Sequence, residues 1–267
     1  MKEMLQETSI AWNSYFGSDA DARRLTWTPL VCYVLLYGHF ALAAMGWAAW
    51  WTLCCSAPLL MVRWLLATHE LMHLRGARAV DLITRLMPML LTPLSLGYRE
   101  FLDIHRGHHR FMATPQDPEY FQLRGGKLQG LLNAMTAPEQ AFLRWLARKG
   151  VDAELVLGAL LRCALFGLLI LLSGWKFLWY WIPLRAAFGA SYFAFFYALH
   201  QRGAEYGVYR VALPAWGARL FALLFGREAL LATTYHDIHH AHPLVSAVHL
   251  PEVAHARDLP QASLPVK

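Results

Sequence analysis

The chain has 267 residues, 57% of them hydrophobic and only 16% charged, with a formal net charge of +6. Soluble domains carry about 25% charged residues, so these values point away from a water-soluble protein and toward an integral membrane one. Lys and Arg are spread along the chain rather than gathered in a patch. That speaks against nucleic acid as a partner and for membrane lipids with an anionic cytosolic surface.

Taken in chain order, residues 1–26 are polar and mixed in charge, with no early apolar core, so no secretory signal is expected. Residues 25–62 contain no Asp, Glu, Lys or Arg. A membrane helix needs about 20 apolar residues, and Gly46 lies near the middle of the run, so a helical hairpin is predicted, with helices near 27–45 and 48–68. Residues 67–154 are polar and hold eleven Lys/Arg and nine Asp/Glu. Within them, 82–97 is apolar but short and broken by Pro88 and Pro93, which predicts an interfacial or re-entrant segment. Pro115, Pro118, Gly125 and Gly126 mark loops.

Residues 155–199 are apolar again. Ser173-Gly174 is the natural turn, giving helices near 155–172 and 178–199, with Arg162 and Arg185 snorkelling to an interface. The aromatic run Trp175–Trp181 fits a membrane–water belt. A weaker apolar helix over 211–232, carrying Arg219 and Arg227, is expected to lie on the membrane.

The expected fold is therefore all-α and integral to the membrane: about four transmembrane helices in two hairpins, under a helical cap formed by 67–154 and 200–267. The whole of 1–267 reads as one domain. The two cap segments carry seventeen of the twenty-four Lys/Arg, so the positive-inside rule puts them, and both termini, in the cytoplasm. No internal repeat is visible.

The chemistry is concentrated in histidines. His69-Glu-Leu-Met-His73 places its imidazoles at i and i+4, and His105-Arg-Gly-His108-His109 and His236-Asp-Ile-His239-His240 place theirs at i, i+3 and i+4, each set on one helical face. Neutral imidazole suits Fe, Zn, Cu or Ni. One four-coordinate zinc cannot use so many, whereas two metals with four or five each can. All three clusters fall on the same predicted side. His200 follows the fourth apolar helix at the same depth and joins the ligand set. His39 lies inside the first helix, where packing is expected. His242, His249 and His255 are read as surface or supporting residues.

A ligating imidazole usually donates its other N–H to a carboxylate or carbonyl. Asp117 and Glu119 are the first candidates for that role and Asp237 a third; Glu70 and Asp103 also lie near the clusters. Cys32, Cys54, Cys55 and Cys163 form no C-x-x-C pair, so they supply no redox centre of their own and electrons must come from outside.

The three boxes, their order and the apolar segments between them resemble the membrane fatty-acid desaturase and hydroxylase superfamily over about residues 25–260. The resemblance implies two irons held by His69, His73, His105, His108, His109, His236, His239 and His240, with His200 in the place of the family's extra histidine. It also implies O2 as co-substrate, attack on an unactivated C–H bond of a lipid-like chain, and an external donor of ferredoxin, rubredoxin or cytochrome b5 type with its reductase.

Gly107–Pro118 and the first box look like bacterial alkane and xylene monooxygenases. His239–Pro243 with Leu250-Pro251 looks more like acyl-lipid desaturases and carotenoid ketolases. Phe196 stands where some acyl-CoA desaturases carry an Asn. The four-helix size and the third box favour a fatty-acyl or lipid desaturase, with a hydroxylase, monooxygenase or ketolase of the same superfamily as the alternative; the expected location is a bacterial inner membrane. Two rivals come from other classes. A membrane zinc protease would use His69-Glu70-x-x-His73, with Glu70 as general base. A metal transporter would place its site nearer the bilayer midplane.

Overall fold

The computed structural model describes residues 15–17, 19–74, 91–112, 114–203 and 205–258. Three apolar helical stretches are long enough to cross a membrane: Leu25–Ala44, Trp50–His73 and Ala153–Tyr197. Their outer faces carry large exposed hydrophobics such as Val34, Leu59, Leu160 and Leu171. In water such a surface would drive aggregation; in lipid it is the solvent-facing side. This is a membrane protein.

Helix α1 (Asp19–Ala44) turns at Gly46, whose φ of 79° suits a residue without a Cβ, and a 3-10 turn at Trp50–Thr52 leads into α2 (Leu53–His73). The turn lies where the uncharged run predicts it. His39 is held by Ser56 Oγ at 2.7 Å and Thr52 Oγ1 at 2.8 Å, a packing role as expected.

On α2 the buried residues Leu53, Ala57, Met61, Trp64, Thr68 and Leu71 recur every three or four positions, so one stripe faces the protein. α2 is the central helix, packed on α1 and on α7 (Leu178–Tyr192). Phe40 of α1 meets Tyr180 of α7 edge to face at 5.3 Å.

The third stretch, 45 residues long, holds α6 (Ala153–Ser173) and α7, separated by a 3-10 turn that begins at Gly174, and runs on past Tyr192 to Tyr197. α6 is capped by Asp152, which accepts from the Leu155 N–H at 2.7 Å. It buries only Leu155, Arg162, Leu169 and Ser173, a narrow seam. Arg162 does not snorkel: it is fully buried and its Nε donates to the Pro93 carbonyl at 3.1 Å. Arg185 pairs with Glu139 at 2.7 Å. Trp181 Nε1 donates to the Leu91 carbonyl at 2.8 Å, so the 91–93 stretch contacts both α6 and α7. Most of the apolar segment 82–97 lies outside the described residues.

Past α7 the helix widens into a π-helix over Phe193–Ala198. A two-stranded hairpin follows, β1 (Gln201–Arg202) with β2 (Glu205–Tyr206). The polar segments are helical: α3 (Tyr98–Phe111), α4 (Lys127–Met135) and α5 (Ala137–Lys149) before the third stretch, and α8 (Ala215–Phe225), α9 (Arg227–Thr234), α10 (His236–Ala241) and α11 (Leu250–Asp258) after it.

The single helix expected over 211–232 is in fact two. Gly226, at φ 106°, breaks it into α8 and α9. Arg63, inside α2, donates to the Leu224 carbonyl at 2.8 Å, satisfying the open C-terminal end of α8. At the N-terminal edge, Phe16 bridges to Val245 just beyond the third box.

Candidate metal centre

The first box lies on the last turns of α2, the second on α3 and the third on α10. The π-helix carries the chain to His200. Their side chains converge into two groups. His69, His73, His105, His109 and His239 each offer a ring nitrogen, all within 4.8 Å of one another, and His108, His200 and His240 do the same. His236 adjoins the second group, its Nε2 lying 3.2 Å from that of His200. All nine histidines singled out in the sequence are therefore brought together, five in one group and four in the other. The second box is shared between the groups, and so is the third. His109 and His240 bridge them, stacked at 4.1 Å.

Several rings are fixed by an acceptor on Nδ1. His108 Nδ1 donates to Asp117 Oδ2 at 2.8 Å, both residues buried. His69 Nδ1 donates to Glu70 Oε1 at 3.0 Å. His200 Nδ1 donates to the Gly207 carbonyl at 3.0 Å, a carbonyl brought back by the β1–β2 hairpin. His236 Nδ1 has the Ala232 carbonyl at 3.4 Å. With the proton committed to Nδ1, the Nε2 lone pair is left to face the site.

The approach of His200 and His236 then places two lone pairs tip to tip. His73 and His105 approach as closely, with Nε2 atoms 2.7 Å apart. Such a geometry calls for a cation between the rings. A proton would be a poor substitute. Burial, followed by repulsion from neighbouring imidazoles, pushes His105, His239 and His240 well below the ordinary histidine range. The same causes bring His200 down to about 3. The buried ring nitrogens His109 Nδ1, His239 Nε2 and His240 Nδ1 have no hydrogen-bond partner. Neutral imidazoles, converging and short of partners, fit a pair of first-row transition metals.

Of the acidic candidates, Asp117 accepts from a box histidine, His108. Its other oxygen, Oδ1, accepts from the Glu119 N–H at 2.8 Å, which locks the loop. Gly107 makes this possible: a Cβ there would sit 2.7 Å from Pro118 Cγ, so only glycine lets the loop close on α3. Glu119 is buried and bonded to Gln122 at 3.1 Å; among the described residues no hydrogen bond joins it to a histidine, and burial followed by the nearby Asp117 drives its carboxyl well above the usual range.

Asp237 departs from expectation. Its carboxylate is taken by Arg210, at 3.0 and 3.1 Å, because on a helix a residue directly after His236 points to a different face. Asp103 pairs with Lys149 at 3.4 Å. Glu70 and the Gly207 carbonyl are partners that sequence reasoning undervalued or missed. Glu70 is adjacent to a box and offered a signal; a backbone carbonyl offers none.

A family model described as fatty acid desaturase matches residues 45–267. The chain belongs to the fatty acid desaturase family. No curated protein and no solved structure matches it. Membership in this desaturase family makes the protein an oxidoreductase of the desaturase/hydroxylase class.

A narrow cavity of about 90 Å³ opens onto both histidine groups. Its walls are apolar: Met61, Trp64 and Met72 from α2, Phe101 and Ile104 from α3, and Phe188 from α7. Met61 lies eight residues before His69 on one helix, so this wall reaches about 12 Å from the histidines into the apolar layer, at 1.5 Å per residue. Phe196 fills the position where an Asn was absent from the sequence pattern; its ring packs 5.3 Å from His108.

Proposed function

We propose that the protein is an O2-dependent di-iron oxidoreductase acting on unactivated C–H bonds of a lipid or other apolar chain, most nearly a fatty-acyl or lipid desaturase. The observation that carries this reading is the pair of histidine groups at the end of a narrow apolar cavity. One metal is assigned to His69, His73, His105, His109 and His239. The other is assigned to His108, His200, His236 and His240. Two irons, when bound, supply the activation of O2.

What the chain's own residues do follows from their placement. The cavity walls hold an unbranched chain and exclude water, so one carbon is presented to the histidine groups. Asp117, Glu70 and Gly207 hold imidazoles in the tautomer that ligation requires. The net reaction joins a CH2–CH2 unit, O2, two electrons and two protons to give CH=CH and two waters. The cysteines form no redox centre, so the two electrons come from a ferredoxin, rubredoxin or cytochrome b5-type donor with its reductase.

In this reading Ala153–Tyr197 folds back at Gly174, making four crossings in two hairpins. The histidines and both termini face the cytoplasm of a bacterial inner membrane. The protease rival gains nothing from the geometry, since Glu70 is committed to His69 and each group draws on several boxes.

The test is metal analysis of protein purified anaerobically in detergent, paired with lipid analysis of expressing cells. Close to two irons per chain and a new double bond in a cellular lipid are expected. A single zinc, with no change in any lipid, overturns the reading.

A further inference from the structure

The wall of the histidine cavity carries two polar groups that nothing in the fold uses. Trp64 and Thr68 of α2 both line the cavity, and both are more than nine-tenths buried. Among the described residues, neither Trp64 Nε1 nor Thr68 Oγ1 has a hydrogen-bond partner. A buried donor without an acceptor is costly, so such groups are nearly always paired.

Elsewhere this chain does pair them. Ser173, Ser191, Thr233 and Thr234 each donate to the carbonyl four residues earlier, at 2.6, 2.7, 2.7 and 2.9 Å. That bond is the usual recourse of a hydroxyl on a helix. Thr68 makes no such bond to the Trp64 carbonyl. Trp181 Nε1 finds the Leu91 carbonyl at 2.8 Å; Trp64 finds no counterpart. The hydroxyl of Tyr98, in the same cavity wall, donates to the Leu71 carbonyl at 3.3 Å.

The pair also has a definite place. Met61, Trp64, Leu65, Thr68, His69 and Met72 recur at helical spacing and form one wall. Thr68 immediately precedes His69. Trp64 lies five residues before it, about 7.5 Å along the axis at 1.5 Å per residue. Residues at i and i+4 are neighbours on a helix surface, so the two donors can meet one acceptor. An indole N–H can only donate, and a hydroxyl can donate beside it. The acceptor that suits two donors in a dry wall is a carbonyl oxygen, with two lone pairs and no proton of its own. A wholly apolar tube has no means of choosing one CH2 over the next; a hydrogen bond at a fixed distance from the metal ligands supplies the register.

We infer that Trp64 Nε1–H and Thr68 Oγ1–H form a subsite for a carbonyl oxygen of the substrate, which sets the oxidised carbon close to that carbonyl. The inference rests on the desaturase reading above and adds the class of substrate: an apolar chain bearing a ketone, ester or amide near the position of attack. Trp64 and Thr68 are specificity residues, and neither takes part in the chemistry.

The experiment is equilibrium binding of radiolabelled dihexyl ketone, and separately of tridecane, to full-length protein in phosphatidylcholine nanodiscs, with empty nanodiscs as the blank. The two probes have the same chain length. The parent should prefer the ketone about tenfold or more, since the hydrocarbon leaves both donors unpaired. Thr68→Val and Trp64→Phe should each reduce the preference, and W64F/T68V should abolish it, with metal content and tridecane affinity as in the parent. Thr68→Ser should keep the preference. The infrared C=O stretch of the bound ketone should lie below its position in empty nanodiscs and return there in the double variant. If Trp64→Phe does not fold, Thr68→Val set against Thr68→Ser decides.

Equal affinity of the parent for both probes overturns the inference, as does a preference that survives loss of the donors. A fall in tridecane affinity equal to that for the ketone overturns it too, because the residues would then only shape the wall. Tighter binding of dihexylcarbinol than of the ketone would make this an alcohol site and overturn the carbonyl assignment. A donor-dependent carbonyl shift in a chain that carries no iron would sink the desaturase reading and leave the subsite standing. Two irons and a new lipid double bond without ketone preference would do the reverse.

Discussion

Asp117 Oδ2 meets His108 Nδ1 at 2.8 Å with both side chains buried, and this one hydrogen bond ties the loop after the second box to the four-histidine group. Asp117→Asn keeps the shape and removes the charge. Carboxylates behind a ligating imidazole are worth about 10–100-fold in metal affinity. The variant is expected to lose that much at the four-histidine group alone. A chelator titration followed by metal analysis should show one ion released early and one retained; simultaneous release of both would contradict the assignment.

Gly107→Val tests the same contact without touching a ligand or an acid. A side chain at this position meets Pro118 and must push the loop, with Asp117, off α3. The expected result is the early release seen with Asp117→Asn, together with a lower Tm. Normal retention of both ions would mean that the loop yields elsewhere.

His239 and His200 belong to different groups. His239→Ala and His200→Ala are each expected to lower metal content from about two ions per chain toward about one, and to abolish turnover in both cases, since each removes a ligand from one site. Full loss of both ions in either variant would show the two groups to be a single unit.

Glu70 separates a supporting acceptor from a catalytic base. Glu70→Gln still offers an oxygen to His69 Nδ1, so activity should fall only modestly, whereas Glu70→Ala should lose about 10–100-fold in metal affinity. Total inactivation by Glu70→Gln with metal intact would restore the proteolytic reading of the first box.

The pH dependence of the metal-free chain follows from the buried imidazoles. His105, His200, His239 and His240 are all lowered by burial in the fold. In the unfolded chain they titrate near pH 6.5. Below that pH the unfolded state binds more protons, so stability falls. The stabilisation is present above about pH 6.5 and is lost as pH drops toward the value of about 3 held by His200. Thermal melts of the metal-free protein between pH 8 and pH 5 should show Tm falling with acid, with a shallower slope in His200→Gln.

Most of the helical plan was legible because it rests on simple physics. A charge-free run cannot stay in water, and glycines at 46 and 174 punctuate the two longest runs. The histidines were legible for a similar reason: i, i+3, i+4 spacing fixes a shared face before any tertiary contact is known. The division of those residues into five and four was not, because it depends on how α2, α3 and α10 cross. Asp237 misled because nearness in sequence is not nearness across a helix. Arg162 misled because snorkelling is only one way to satisfy a buried guanidinium; the Pro93 carbonyl, distant in sequence, provides another.

The π-helix at Phe193–Ala198 bears on how this sequence tolerates change in length. A π turn takes in one residue more than an α turn, and each α-helical residue advances the chain by about 100° around its axis. Deleting a single residue between Tyr192 and His200 would restore a regular and intrinsically better helix, yet swing His200 about a quarter-turn out of phase with His236. The segment acts as a vernier on the fourth apolar helix: it trades local regularity for the angular setting of one imidazole. Drift in length here should therefore be far less acceptable than drift in residue type.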